Sequence, residues 1–402
     1  MYFWLFKIIA MKNYILFDTQ VREALKPFTF TRPISEIRCG ILTITEKWDL
    51  LLQTKCTFKT ANYLQEKYRL QESDDNVFIN SAVFPNKEIV AAVSDLAENS
   101  VLATENSWIA ARVSKLNSES EIENLKKVAY SGAVKKLEHI WNIFQFNPDE
   151  INSDFELVTA GRKSQKISET NRVLCPENVF VEEGAKVEFA IINASEGKVY
   201  IGKDAEIWEN AVVRAPFAMN EHAVVKMSAK IYEGTTIGPY SKVGGEVQNS
   251  VIIGYSNKGH DGYLGNSVLG EWCNLGADTN NSNLKNDYSN VKVWNYARGH
   301  FENSGLQFCG LMMGDHSKSA INTMFNTGTV VGVCANIYGG GFPRNFIPSF
   351  SRGGAQGMEE NILAKACETA ARVYARRHKE FDAVETAILT TIFEETRQNR
   401  IF

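Results

Sequence analysis

No two cysteines in this chain have CxxC spacing, no apolar run is long enough to span a membrane, and neither sign of charge dominates. Each absence excludes something. The seven cysteines (Cys39, Cys56, Cys175, Cys273, Cys309, Cys334 and Cys367) stand singly, which argues against a disulfide framework and for reduced thiols in a cytoplasmic protein. The opening Met1–Ala10 is apolar but shorter than a membrane span. It also has no basic n-region and no small-residue cleavage site. Residues 1–10 are therefore expected to be a non-structural extension, with Met1 and Met11 both open as the start. Forty-three Lys and Arg against 47 Asp and Glu leave a net charge of −4, so nucleic acid and anionic membrane are not expected as main partners. A length of 402 residues suggests two domains, or one domain followed by a repeat array.

The repeat is present. Ile201, Ile207, Val213, Met219, Val225, Ile231, Ile237 and Val243 lie six residues apart. Four residues after each comes Ala205, Ala211, Phe217, Ala223, Ala229, Thr235, Ser241 or Val247, most of them small. No α-helix has a period of six, and simple strand alternation would not hold small residues at one phase. A triangular coil explains both, with the aliphatic residue inside and the small one near a corner. The phase returns as Tyr263, Leu269 and Leu275, and again as Met313, Ser319, Phe325, Val331 and Ile337. The expected fold is a left-handed parallel β-helix of hexapeptide repeats over residues 173–352. Interruptions around Gly254–Gly262 and Asn280–Gly305 read as loops thrown out of the coil, where binding chemistry tends to be placed.

Residues 11–160 mix apolar strands with helical stretches and predict an α/β domain. Tyr14–Phe17, Val77–Ile79 and Ile89–Val93 read as strands; Ile41–Thr54 and Ser120–Lys127 read as helices. Polar residues 161–172 make a linker. Residues 353–402 carry two helical patterns, Met358–Arg377 and Ala383–Gln398, expected to cap the coil or to pack between subunits.

The chemistry concentrates in Gly259-His260-Asp261-Gly262-Tyr263-Leu264-Gly265, followed by Gly270 and then Asn274-Leu275-Gly276-Ala277. An amine must be neutral to attack a thioester, and a histidine is suited to take its proton. The string, with its internal spacing, resembles the acetyltransferase half of the bifunctional glucosamine-1-phosphate acetyltransferase / N-acetylglucosamine-1-phosphate uridyltransferase family. That resemblance implies His260 as general base, Tyr263 and Asn274 as substrate-binding residues, and Ala277, Asp315 and Val333 along the acyl-CoA; Lys258 is a further substrate-binding candidate on its charge. It also implies acetyl-CoA as co-substrate, a homotrimer, and a place in UDP-N-acetylglucosamine and cell-wall synthesis. There are departures. Tyr232 and the Asn249-Ser250 region stand where the family has a phosphate-binding Arg and Lys. Lys226, Lys242 or Lys258 are the available replacements.

In the N-terminal half, Leu16-Phe17-Asp18, Leu25-Lys26-Pro27-Phe28-Thr29, Thr31-Arg32-Pro33 and Gly40 to Trp48 resemble the opening of sugar-phosphate nucleotidyltransferases in a divergent branch of the same family. The resemblance implies nucleotidyl transfer from a nucleoside triphosphate to a sugar 1-phosphate, with Mg²⁺. The glycine-rich loop that lets backbone approach phosphate is missing, replaced by Asp18-Thr19-Gln20-Val21. Asp18, Arg22, Thr29, Arg32 and Lys47 are the nucleotide- and phosphate-binding candidates, with Arg38 a further source of charge. The sequence names no metal ligands. Two other readings stay open. One is a sugar-nucleotide-binding or scaffolding protein without turnover. The other is a metal hydratase of the γ-carbonic anhydrase kind using His222, His260, His300 or His316, though none has the close His-x₄-His pairing such a site needs.

Overall fold

The structure is a computed structural model that describes residues 12–402, so the expected extension at 1–10 lies outside the described residues. The chain forms two compact units. One holds the described residues up to Gln20 with Pro33–Glu36 and Ile44–Lys136; the other holds Val21–Arg32, Ile37–Thr43 and Leu137–Phe402. The division departs from a boundary near residue 160. Two short N-terminal segments, and the stretch from Leu137 onward, group with the repeat.

The first unit is built on a six-stranded mixed sheet. Asn13–Phe17 lies between Thr57–Lys59 and Asn76–Asn80, parallel to both. Trp108–Val113 then runs antiparallel to Asn76–Asn80 and to Ser100–Ala103. Ile15, Phe17, Phe78, Val101 and Ala111 form a core on one side. The expected helix over 41–54 is Ile44–Leu52. Ile89–Val93, expected as a strand, is instead inside the helix Lys87–Ser94. Its Asn86 N-cap accepts from the Ile89 amide at 2.8 Å, and Ile89 and Val93, four apart, bury one face. A five-residue apolar run cannot by itself distinguish the two states. Ser120–Lys127 is also not one helix but a 3-10 turn, Glu119–Asn124, followed by the edge strand Lys126–Ala129.

The second unit is a three-faced parallel β-helix. A six-stranded first face runs from Arg172–Leu174 to Tyr263–Gly265; a nine-stranded second face from Val179–Val181 to Phe346–Ile347; and a third face, with ten strands, from Lys186–Val187 to Gly357–Glu360. The eight aliphatic residues from Ile201 to Val243 all lie in its buried core, as do Met313, Phe325, Val331 and Ile337. The small residues at the second phase, Ala205, Ala211, Ala223 and Ala229, are buried at the corners. The corners turn through the left-handed region, for example at His222 (φ 53°), Tyr240 (φ 57°) and Trp272 (φ 62°).

Two expectations about the coil need correction. The residues around Gly254–Gly262 do not leave it: Asn257–Lys258 continues the third face, with Lys242 opposite Asn257 and Val243 opposite Lys258. Tyr263 does not take the inward phase; Leu264 does, because the step from Leu264 to Leu269 is one residue short of the hexapeptide. The second interruption is a true excursion, and it carries an antiparallel hairpin, Lys292–Asn295 with His300–Asn303.

The helix Asn142–Thr159 lies on the outside of the second face, where Ile151 and Phe155 pack with Phe180, Ala218 and Ile41. Gly40 (φ 89°) is pressed against Glu150 and Asp154, where a Cβ would collide. Its amide donates to Asn147 Oδ1 at 2.7 Å, and the Asp154 carboxylate accepts from the Ile41 and Leu42 amides. At the C-terminal end, Ser351–Gly354 turns back antiparallel to Gly357–Glu360. The helices Leu363–Ala375 and Ala383–Glu395 follow, so Met358 is in a strand rather than a helix. No described helix is long and apolar enough to cross a membrane.

Candidate active site

His260 lies at the corner where the third face turns into the first, between Asn257–Lys258 and Tyr263–Gly265. It is exposed, and its ring makes no hydrogen bond to any described residue. Its main chain is held. The neighbouring Lys258 points inward, in the column occupied elsewhere by Val225, Val243 and Leu275, and is only 2% exposed. Its Nζ turns back to donate to the His260 carbonyl at 2.5 Å. Burial lowers the Lys258 pKa to about 8, against the opposing charges of Asp261 and Asp278. Lys258 is thus a buried brace behind the histidine rather than a surface ligand.

Asn257 pairs with Asn274, so Ala277 stacks directly beside His260 in the next coil; the Asp278 amide donates to the Asp261 carbonyl at 3.0 Å, continuing the register. Asn274 is exposed on the outside of the third face, in the column of Lys242, Asn257 and Lys318. Tyr263 is round the corner on the first face. Its hydroxyl donates to Gln248 Oε1 at 2.9 Å and accepts from Asn283 Nδ2 at 3.0 Å, so its polar end is committed within the protein.

The three positions expected along an acyl-CoA do not form one line. Leu275 pairs with Ser319 and Ser319 with Ile337, which puts Ile321 and then Gly339 in the column of Ala277. Asp315 and Val333 are each one hexapeptide short of that column, at the corner between the second and third faces. The repeat specifies a phase but not which of three corners it occupies, and the long excursion after Asn281 hid the extra repeat. Ile321 is 68% exposed and Tyr338, beside Gly339, is 42% exposed. An apolar edge therefore continues from His260 over about three coils, or roughly 14 Å at the usual strand spacing.

Asp315 has a different partner. Arg32 grips its carboxylate through two nitrogens, at 3.1 and 2.5 Å, and Thr31 Oγ1 donates to it at 2.7 Å. Burial opposes ionisation of Asp315, but the Arg32 charge and hydrogen bonds prevail and hold its pKa below the ordinary value. Arg32 also reaches Glu271 at 3.2 Å. A phosphate-binding candidate and an acyl-CoA candidate thus meet each other. Arg38 likewise donates to the carbonyl of Ile253 on the coil.

The remaining N-terminal candidates are also engaged. Arg22 and Thr29 bond reciprocally, each side chain to the other's carbonyl. Lys47 is buried, 5.5 Å from the centre of the Phe84 ring. The Asp18 carboxylate accepts from Thr60 and Ser81 hydroxyls at 2.6 and 2.7 Å and from the Ile34 amide at 3.0 Å. The Gln20 amide, in the segment replacing the glycine-rich loop, donates to Glu119 Oε2 at 3.2 Å.

Sequence reasoning named Lys226 and Lys242 but missed the two arginines near Lys242, Arg376 and Arg377. Lys242 is shifted down first by burial and then by the charges of Arg377, Lys226 and Arg376. Gly244 lies between Lys226 Cβ and Gly259, so the coils separating Lys226 from the His260 corner present no side chain in that column. Arg376 and Arg377 follow the helix Leu363–Ala375, and only tertiary packing brings them here; Arg377 Nη2 donates to the Tyr240 carbonyl at 3.0 Å. The histidines of the hydratase reading are dispersed. His222 and His316 stand in an aromatic stack, His260 on another corner and His300 on the hairpin, and the described residues hold no group of three potential metal ligands.

The comparisons with known proteins divide the chain near residue 160, not along the two compact units. Residues 14–163 match the family described as sugar nucleotidyl transferase. That domain is followed by a hexapeptide β-helix, and the chain is related at low identity to GlmU-like bifunctional nucleotidyltransferase/acetyltransferases. It is 28% identical over 227 residues to the bifunctional sugar-1-phosphate nucleotidylyltransferase/acetyltransferase of Sulfurisphaera tokodaii, covering 56% of this chain and 50% of that one. It is 34% identical over 110 residues to the bifunctional protein GlmU of Methanocaldococcus jannaschii, covering 27% of this chain and 25% of the relative. Over 274 residues it is 26% identical to the GlmU of Methanococcus maripaludis, covering 68% and 58%. The chain thus spans at most a little over half the length of these relatives. Among solved structures, an Arabidopsis UDP-N-acetylglucosamine acyltransferase matches 58% of this chain and 91% of its own at 14% identity, with a TM-score of 0.23, too low to support an argument.

Proposed function

We propose that the β-helix transfers an acetyl group from acetyl-CoA to the amine of a hexosamine 1-phosphate, in a protein of sugar-nucleotide synthesis whose N-terminal domain handles a nucleoside triphosphate. The observation that carries this reading is the corner of His260. One exposed imidazole stands on an apolar edge, with Lys242 one coil and Lys226 two coils back along the same side of the helix. In this reading His260 takes the proton as the amine attacks the thioester carbonyl, and CoA leaves as the thiol. Ala277, Ile321 and Tyr338 lie along the pantetheine. Lys226, Lys242, Arg376 and Arg377 hold the sugar phosphate in place of the missing family Arg and Lys. Asn274 binds the sugar from the outside of the third face. A homotrimer, with a second copy closing the cleft, belongs to the same proposal.

The intact protein, given acetyl-CoA and glucosamine 1-phosphate, should release free thiol. His260→Ala should lower that rate about 100-fold or more, and an equal rate in the variant removes His260 from the mechanism.

A second reading is favoured for the N-terminal domain, residues 14–163. Arg22, Thr29 and Arg32 bond within the protein, and a carboxylate occupies the Gln20 amide where a phosphate would be cradled. These contacts support a sugar nucleotidyl transferase domain that binds without turnover. Release of pyrophosphate from MgUTP and N-acetylglucosamine 1-phosphate decides between the two. Sustained release contradicts the non-catalytic reading, and none contradicts nucleotidyl transfer.

A further inference from the structure

The hairpin in the long excursion folds over the outside of the second face and walls a cleft of about 620 Å³. Its construction follows from strand alternation. Val293 and Asn295 are buried, so Lys292 and Trp294 share the opposite side, and Phe301 stands directly across from Trp294. Trp294 stacks on Phe346 of the coil, with centroids 4.2 Å apart and planes 11° apart, and Phe301 meets it edge-on at 5.3 Å. This fixes the aromatic wall before any ligand arrives.

Three cations line the same cleft: Lys285, Lys292 and Arg344. None of them forms an ion pair with a described carboxylate. Lys285 is held by the loop itself, its Nζ donating to the Asn290 carbonyl at 2.9 Å. Elsewhere on this protein cations commonly pair, as Arg112 does with Asp75 and Arg162 with Glu182. Three unpaired cations around an aromatic wall, in a net-acidic chain, select for a ligand with both several negative charges and a flat ring. A cavity of this volume suits one small molecule.

We infer that this cleft binds a nucleoside 5′-diphosphate group, the base against Phe301 and Trp294 and the phosphates between Lys285, Lys292 and Arg344. The inference stands on this cleft alone and does not depend on His260. Two sources carry the group: the adenosine end of CoA, and a free or sugar-linked nucleotide. The excursion would then be a binding element added to the coil rather than a passive loop.

Isothermal titration of the intact protein with ADP, CoA, UDP-N-acetylglucosamine and inorganic pyrophosphate tests it. At least one nucleotide should bind at least tenfold more tightly than pyrophosphate. CoA binding with no UDP-sugar binding assigns the cleft to the acyl donor, and the converse assigns it to a nucleotide. Lys292→Ala and Arg344→Ala should each weaken the bound nucleotide about 10-fold, and Phe301→Ala about 5- to 10-fold. All three lie on exposed positions, and unchanged melting transitions would show that the variants fold. The inference is overturned if no nucleotide binds at millimolar concentration, if pyrophosphate binds as tightly, or if the three substitutions leave binding intact. If the cleft takes CoA, Phe301→Ala should raise the KM for acetyl-CoA in thiol release with kcat retained, a split that His260→Ala, which lowers kcat, would not give.

Discussion

Asp315 and Lys258 show how differently a buried charge can be accommodated. Asp315 has a guanidinium, a hydroxyl and the Glu271 amide around it, so its charge is solvated by protein. Removing Arg32 would leave that carboxylate buried without its counter-ion. Arg32→Ala should cost about 3–5 kcal/mol in urea denaturation, and a loss below about 1 kcal/mol would show that the pair is dispensable. Because the folded pKa of Asp315 is depressed, its stabilisation is present above the unfolded carboxylate range near 4 and is lost as pH falls through the folded value. Lys258 has only a carbonyl. Its pKa of about 8 lies below the unfolded value near 10.4, so the unfolded chain binds the extra proton between those limits. Its penalty is full below pH 8, and stability should rise as pH climbs from about 8 to beyond 10. Lys258→Met should raise stability at pH 7 by about 1–3 kcal/mol and abolish that alkaline rise. A pH profile identical to wild type would contradict the buried-lysine account.

Among the elements, the corner between the second and third faces carries a stack that no single repeat reveals. His222, Tyr240, Tyr255 and Trp272 follow one another at 4.7, 5.2 and 4.3 Å, and Tyr374 from the first C-terminal helix lies on Trp272 at 4.1 Å. This stack docks the helix, and with it Arg376 and Arg377. Trp272→Ala should destabilise by about 3–5 kcal/mol. If the helix positions the basic cluster, the variant should also weaken sugar phosphate binding; a stability loss without any change in substrate KM would separate the two. The coil itself was legible because a six-residue period is imposed by its geometry at every turn, from Ile201 to Val243. What was not legible has physical causes. Phase repeats at all three corners, so Asp315 and Val333 were assigned to the wrong one once the excursion concealed a repeat. Lys258 sits in the inward column, where its long stem packs like an apolar side chain and its amine turns back to the His260 carbonyl. Gly40 to Trp48 belongs to a nucleotidyltransferase-like string, yet Gly40 and Ile41 owe their surroundings to the helix Asn142–Thr159 and the coil, contacts no local pattern announces.

For the molecule as a whole, a sugar nucleotidyl transferase domain has its signature residues drawn into internal bonds, while the β-helix keeps an uncommitted imidazole on an open edge. Chemistry is therefore expected from the coil before it is expected from the sheet. The most direct measurement is thiol release from acetyl-CoA by the intact protein, run beside His260→Ala over a panel of hexosamine 1-phosphates. The account predicts turnover with at least one of these amines and a loss of about two orders of magnitude or more in the variant. Absence of turnover with every amine, or equal rates in the two proteins, would contradict it.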